Sequence, residues 1–334
     1  MKHISLAHGN GGRLMRELIE ELFQPLLSNP LLDTQTDAVS LPPASPELQA
    51  VFTTDSFTVQ PLEFPGGDIG SLAVHGTIND LAVAGATPAY LSLNVIAEEG
   101  LEIALLKRVI QSLSTAAKEA NVAIVTGDTK VVPKGQGGGL YLITSGIGYK
   151  PRTLELGLDK IRDGDAILVS GPVGDHGIAV MLAREQFGLK GDVRSDAASV
   201  LPLTQALREL SGLRFMRDPT RGGIATVLNE IHRACGMGIR CQQPTIPVRN
   251  SVTTVCEMLG YDPLYLACEG RVVAVVDAQQ AQQALKLWQA CDQGRQAAII
   301  GYIRQEKRRV VLETELGGER VLEELEEDPL PRIC

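Results

Sequence analysis

No cysteine precedes residue 235 in this 334-residue chain, and Cys235, Cys241, Cys256, Cys268, Cys291 and Cys334 nowhere form a CxxC pair. That pattern argues against a zinc ribbon or a disulfide framework, and it suits thiols in a reducing cytoplasm. The first five read as small buried apolar residues. No run such as KKRK occurs, and the formal charge is −9, from 31 basic and 40 acidic residues. A nucleic-acid partner would demand a basic face, so none is expected. No stretch approaches the roughly 18 apolar residues of a membrane span. The start, MKHISLAHGNGGRL, lacks the apolar core of a signal peptide. Aromatic residues are scarce, at 4%, whereas glycines number 34 and hydrophobic residues make up 44%. The balance suits an α/β protein with many tight turns, and the length favours two domains.

Hydrophobic spacing gives the order of elements. Leu14, Leu18 and Leu22 recur four apart, with Ile19 and Leu26 alongside, so an amphipathic helix is expected over 12–27. Strands are expected at 48–62, 88–100, 121–130 and 139–150, with helices at 66–86 and 101–120. After a linker near 150–162, helices are expected at 176–187, 199–210, 221–235, 251–259 and 278–291. Strands should lie at 166–170, 237–242, 269–277 and 297–303, followed by a hairpin over 308–322 turning at Gly317–Gly318. Domains are therefore placed at 1–155 and 160–322, with a tail at 323–334. The tail, EELEEDPLPRIC, is acidic and holds two prolines, and it reads as extended and mobile.

Several short elements point to a phosphate-and-metal site. HGNGGR places Gly9, Gly11 and Gly12 just before the first helix, where backbone N–H groups can converge on an anion. No GK[ST] follows, so this is not a Walker A loop. TTDS, ND and TGDTK carry Asp55, Asp80 and Asp128 at ends or interruptions of regular elements. Each alone suits a cap or turn. Together with the glycine loop, they are the hard oxygen ligands that Mg²⁺ takes when it carries ATP phosphates. Asn79 sits beside Asp80. RDPTRGG adds Asp218 as a further metal ligand and Arg221 with Gly222 as phosphate contacts, or else forms an ordinary helix start. Lys130 and Lys134 are candidates for phosphate oxygens, although lysines in a glycine-rich loop are ordinarily solvated. Glu269, in ACEGR before the apolar RVVAVV, is the first candidate for a general base; a strand-end residue facing solvent is its alternative. His176 is the second candidate, with a structural hydrogen-bonding role as its alternative.

The chain closes on PLPRIC, which puts a thiol at Cys334. A prenylation signal needs three further residues, so the sulfur is expected to serve another purpose. The ten residues after Glu324 span roughly 33–36 Å when extended, enough to swing a thiol across a domain into a cleft. Pro329 and Pro331 stiffen that arm, and Arg332 is placed to meet phosphates or an acidic partner.

Taken in order, HGNGG, TTDS, PGGDIG, TINDLAVAGA, VTGDTK, DPTRGG and PRIC resemble the HypE carbamoyl dehydratases of hydrogenase maturation. These belong to the aminoimidazole-ribonucleotide-synthetase-like (PurM-like) ATP-binding superfamily. The aspartates are shared across the superfamily, and PRIC is particular to this branch. The resemblance implies a two-domain α/β fold, with an N-terminal mixed sheet that forms a barrel-like core in a homodimer. It also implies a reaction sequence. A carbamoyltransferase, HypF, places a carbamoyl group on Cys334. ATP phosphorylates the amide oxygen, and loss of phosphate and protons leaves S–C≡N. The cyano group then passes to iron on a HypC–HypD scaffold for the nickel–iron centre. An amide oxygen is a poor leaving group, so its conversion to phosphate makes chemical sense. A tethered substrate also gains effective concentration. Two rival readings fit the same residues. One is a superfamily enzyme with a free substrate, such as a selenophosphate synthetase or a thiamine-phosphate kinase; the former carries its reactive cysteine near the amino terminus, which this chain lacks. The other is a thiol carrier without catalysis, which would not need the aspartates.

Overall fold

The computed structural model describes residues 2–9, 13–32, 38–184, 192–306 and 308–325. The N-terminal helix is built in three pieces: α1 (Arg13–Leu18), a π-helical segment over Ile19–Phe23, and α2 (Gln24–Leu27). Pro25, which has no N–H to donate, follows the π-helical turn.

Four strands form the first sheet: β1 (Leu48–Phe57), then after a small hairpin of β2 (Glu63–Phe64) and β3 (Gly67–Asp68), β4 (Thr87–Glu98), β5 (Ala123–Val132) and β6 (Leu140–Pro151). Their order is β1-β6-β4-β5, antiparallel except for the parallel β4–β5 pair. The sheet is open, with β1 and β5 as its edges, and the described residues contain no closed barrel. Helices α3 (Ile69–Val83) and α4 (Ile103–Glu119) cover one face. Asp68 caps α3 by accepting from Gly70 N and Ser71 N, and Ser71 Oγ accepts from Asp68 N in return. That box sets the helix start at Ile69 rather than 66. Helix α3 is buried nearly all round, so its apolar residues show little sidedness, whereas α4 buries one stripe of Leu106, Val109, Ile110 and Leu113.

The second sheet has seven strands: β7 (Ala166–Val169), β8 (Leu213–Arg217), β9 (Gly238–Gln242), β10 (Val273–Val276), β11 (Ala298–Arg304), β12 (Val310–Glu313) and β13 (Glu319–Val321), in the order β13-β12-β9-β11-β7-β10-β8. Helices α5 (Asp175–Arg184), α6 (Leu201–Leu207), α7 (Gly223–Cys235), α8 (Asn250–Leu259) and α9 (Ala281–Gln289) complete this half. One face packs against α7 and the other against α6 and α9, where Trp288 is fully buried and donates to Leu203 O. Because β7 and β10 are covered on both faces, they read as unbroken apolar runs.

The expected strand at 269–277 begins only at Val273, because residues 269–271 form a loop held by side chains from elsewhere. The end of the helix expected over 176–187 lies outside the described residues, as do Gly11, Gly12, Arg332 and Cys334. The mobile tail expected from Glu323 does not start there. Glu323 O accepts from Tyr265 Oη, Glu324 pairs with Arg233 at 2.6 Å, and Leu322 is buried. Cys241, Cys256 and Cys268 are buried as expected, but Cys235 and Cys291 are only half-buried. Among the described residues no helix is long and apolar enough to cross a membrane.

Candidate active site

Alternation along β1 turns Val51, Thr53, Asp55 and Phe57 toward the helices and leaves Ala50, Phe52, Thr54 and Ser56 outside. The inward face meets α3, where Thr53 Oγ1 donates to Asp80 Oδ2 at 2.8 Å. Asp80 lies in the last turn of α3, where the helix carbonyls already concentrate negative charge. Burial raises its carboxyl above the ordinary range. The Thr53 hydrogen bond opposes that rise, the charge of Asp55 adds to it, and Arg217 opposes it.

Two further carboxyls arrive from the C-terminal half. Asp218, just after β8, is 6% exposed and its pKa is pushed up to about 7, first by burial and then by the charge of Asp80, with Asp55 adding a smaller part. Glu269, in the loop before β10, is 2% exposed and is held well above its ordinary value by burial, then by Asp218, Asp196 and Asp55. Arg221 opposes this rise. Glu269 Oε1 is buried with no hydrogen-bond partner among the described residues. Arg221 stands at the turn into α7, and Gly222 follows with φ +70°, a left-handed conformation that glycine adopts without strain.

The candidate residues fall into separate groups. Asp55, Asp80, Asp218, Glu269 and Arg221 share one electrostatic cluster. Asp128 does not join it. Asp55 pairs with Thr144, Thr144 with Leu93, and Leu93 with Gly127, so Asp128 lies three strand spacings away, roughly 14 Å, on the opposite edge. There it pairs with Lys130 at 3.2 Å and lines a cavity of about 140 Å³ beneath the N-terminal helix, with Met15, Phe23 and Ile124. Lys134 is on the loop between β5 and β6, whose Gly135 N and Gly139 N donate to Glu98. Gly9 approaches the same edge so closely that a Cβ there would collide with Val131 N. Asn79 is buried: its amide donates to Ala198 O and Glu269 O, and its Oδ1 accepts from Val200 N. His176 is buried at the start of α5, with Nδ1 2.8 Å from Ser195 Oγ and its ring edge-on to Phe64. Sequence reasoning missed Asp196 and Arg271. Asp196 accepts from Glu269 N and Gly270 N and pairs with Arg271 at 3.4 Å.

Among the described residues no three His, Cys, Asp or Glu side chains converge closely enough to hold a metal ion unaided. The cluster nonetheless fits a hard divalent cation that arrives with phosphate. It gathers four carboxyls, one of them with a buried oxygen that has no partner among the described residues, beside two arginines. Mg²⁺ commonly takes only one or two carboxylates and completes its shell with phosphate oxygens and water.

Comparison with known proteins places this geometry in a family context. Residues 35–149 match the N-terminal domain of AIR synthase related proteins, and residues 162–313 match the C-terminal domain. The chain is 47% identical over 335 residues to carbamoyl dehydratase HypE of Azotobacter vinelandii, an alignment covering 99% of this chain and 97% of the relative. A crystal structure of the hydrogenase maturation protein HypE in complex with ATP matches with a TM-score of 0.93 at 44% identity, covering 98% of this chain and 99% of that one. A chain of a HypE–HypF complex matches with a TM-score of 0.81 at 41% identity, covering 92% and 99%.

Proposed function

The chain belongs to the HypE carbamoyl dehydratase family, and from that premise we propose that it removes water from a carbamoyl group carried on Cys334, using ATP, to supply a cyano ligand during hydrogenase maturation. The observation that carries this reading is the buried Glu269 carboxyl, with a free oxygen, set among Asp218, Asp80 and Asp55. Burial and the neighbouring carboxylates raise the proton affinity of this carboxyl, the property a proton acceptor needs.

In the proposed reaction the amide oxygen of the thiocarboxamide attacks the γ-phosphorus of ATP, and ADP leaves. The carbon–oxygen bond then breaks with loss of inorganic phosphate while the nitrogen gives up its two protons, which leaves S–C≡N. Glu269 takes an amide proton, and Arg221 with the N–H groups at the start of α7 holds the phosphoryl oxygens. Asp55, Asp80 and Asp218 would hold Mg²⁺, which when bound supplies charge neutralisation for the phosphates. Lys130, Lys134 and Gly9 serve the nucleotide from the β5 edge, and Gly11 and Gly12 of the same motif are proposed as further phosphate contacts. Asn79 serves it indirectly, by fixing the backbone of Glu269.

A homodimer belongs to this proposal. The outer face of the first sheet carries Phe52, 68% exposed, with Ile143, Ile147 and Tyr149 half-buried beside it. A second copy is the cover that closes the open sheet toward a barrel. HypF is the proposed carbamoyl donor, in keeping with the matched complex, and a HypC–HypD scaffold is the proposed acceptor.

The test is isotopic. With ¹⁸O in the carbamoyl group, the label should appear in inorganic phosphate. Recovery of the label in water would overturn the phosphorylated intermediate.

A further inference from the structure

Between Val193 and Val200 the chain forms no helix or strand, yet its hydrogen bonds reach both halves of the molecule. Ser195 N donates to Pro65 O at 2.8 Å, and Ser195 Oγ meets His176 Nδ1. Ala198 O and Val200 N are both held by the Asn79 side chain on α3. Asp196, whose side chain is 1% exposed, accepts from Glu269 N at 3.2 Å and from Gly270 N at 3.3 Å. Its charge is met by Arg271, which is itself fixed to Pro172 O at 2.9 Å and lies 3.7 Å from Asp175.

This strap holds the Glu269 backbone from both sides. The N–H goes to Asp196, while the C=O accepts from Asn79 Nδ2 at 3.2 Å and from Ala198 N at 3.4 Å. Glu269 Oε1 has no hydrogen-bond partner among the described residues, so none of them anchors that end of the side chain. Gly270 packs so closely that a Cβ there would overlap Asp196 O. A buried carboxylate with two backbone donors and an arginine is costly to desolvate, and a gain in fixed geometry is one reason for a fold to keep it.

We infer that Asp196, backed by Arg271, is the positioning residue that sets Glu269 in the cleft, through the main chain and without touching substrate. This rests on the reading of Glu269 as the proton acceptor. A misplacement of about 1 Å costs on the order of 10²-fold in rate, so the effect should fall on turnover and spare ATP binding.

The experiment uses full-length protein carbamoylated on Cys334, with dehydration followed in a single turnover over a range of ATP concentrations. Asp196→Ala should slow the step by about 10²-fold with the ATP half-saturation within about twofold of wild type. Asp196→Asn keeps one acceptor oxygen and the side-chain shape, so it should lose about tenfold; it carries the comparison should the alanine variant not fold. The double variant Asp196→Ala/Glu269→Gln should be no slower than Glu269→Gln alone, because both changes act through one group. Losses that multiply in the double variant would overturn the inference. So would a wild-type rate in both Asp196 variants while Glu269→Gln is inactive. Full activity in Glu269→Gln would instead remove the proton-acceptor role itself, and the positioning role with it.

Discussion

The negative charge of Asp218 falls on the buried carboxyl of Glu269, although the two residues are 51 positions apart in sequence and reach the cleft from different loops. Before nucleotide arrives, this pair and the neighbouring Asp80 and Asp55 crowd four carboxyls against Arg217 and Arg221, and burial with mutual repulsion pushes Asp218, Glu269 and Asp80 toward the protonated form. The site is thus arranged for a ligand that brings positive charge with it, at the expense of the empty protein's stability.

That expense has a pH signature. Because the folded Asp218 carboxyl titrates near 7 rather than in the ordinary range, the folded protein binds its proton more tightly than the unfolded chain does. Stability therefore falls as pH rises from about 4 to about 7, by roughly 4 kcal/mol from this group, and stays reduced above that. Asp218→Asn should raise the melting temperature of the nucleotide-free protein at pH 8 more than at pH 5, while abolishing dehydration. Parallel melting curves for the two proteins at both pH values would contradict the assignment.

Asp80→Asn keeps the oxygen that accepts from Thr53, so the fold should survive. The loss of one carboxylate should weaken magnesium-dependent ATP binding at least tenfold, about 1.4 kcal/mol, in calorimetric titration. Unchanged binding with magnesium present would exclude Asp80 from the cation site.

Phe52→Glu places a charge on the outer sheet face, where Phe52 is 68% exposed. If that face is covered by a second copy, the variant should sediment as a monomer while wild type sediments as a dimer. Identical sedimentation would put the interface elsewhere.

Removal of Cys334, or Cys334→Ser, should leave ATP binding within about twofold and end product formation, because the substrate is carried and does not diffuse. The nine residues beyond Leu325 reach roughly 30 Å when extended. A superfamily enzyme acting on a free substrate would keep its turnover, so sustained activity without the thiol would favour that alternative.

Much of the architecture is legible in local pattern. The four-residue spacing of Leu14, Leu18 and Leu22 locates the first helix, and the apolar runs of β7 and β10 locate two central strands. Strand β8, Leu213–Arg217, is missed because LRFMR interrupts its apolar residues with arginines, whose charges are met only in the fold: Arg214 by Asp277 and Asp165, and Arg217 by Glu230. The site is legible only in part. Asp80 stands out as a charge among small apolar neighbours, Asp55 as an aspartate in the polar interruption of a strand, Asp218 as one just before a glycine-led helix, and Glu269 as a carboxylate ahead of an apolar strand. Asp128 shares their local signature yet sits across the sheet, a separation that depends on strand order and leaves no trace in spacing. Asp196 carries no local mark at all. Its partners lie 73 to 75 positions away, and only the folded chain brings them to it.

The most direct measurement is the intact mass of the carbamoylated protein, taken with and without ATP and magnesium. Cys334 should carry the added carbamoyl mass and then lose the mass of one water, only when both ATP and magnesium are supplied. A loss that proceeds without ATP, or that maps to any residue other than Cys334, would contradict the account.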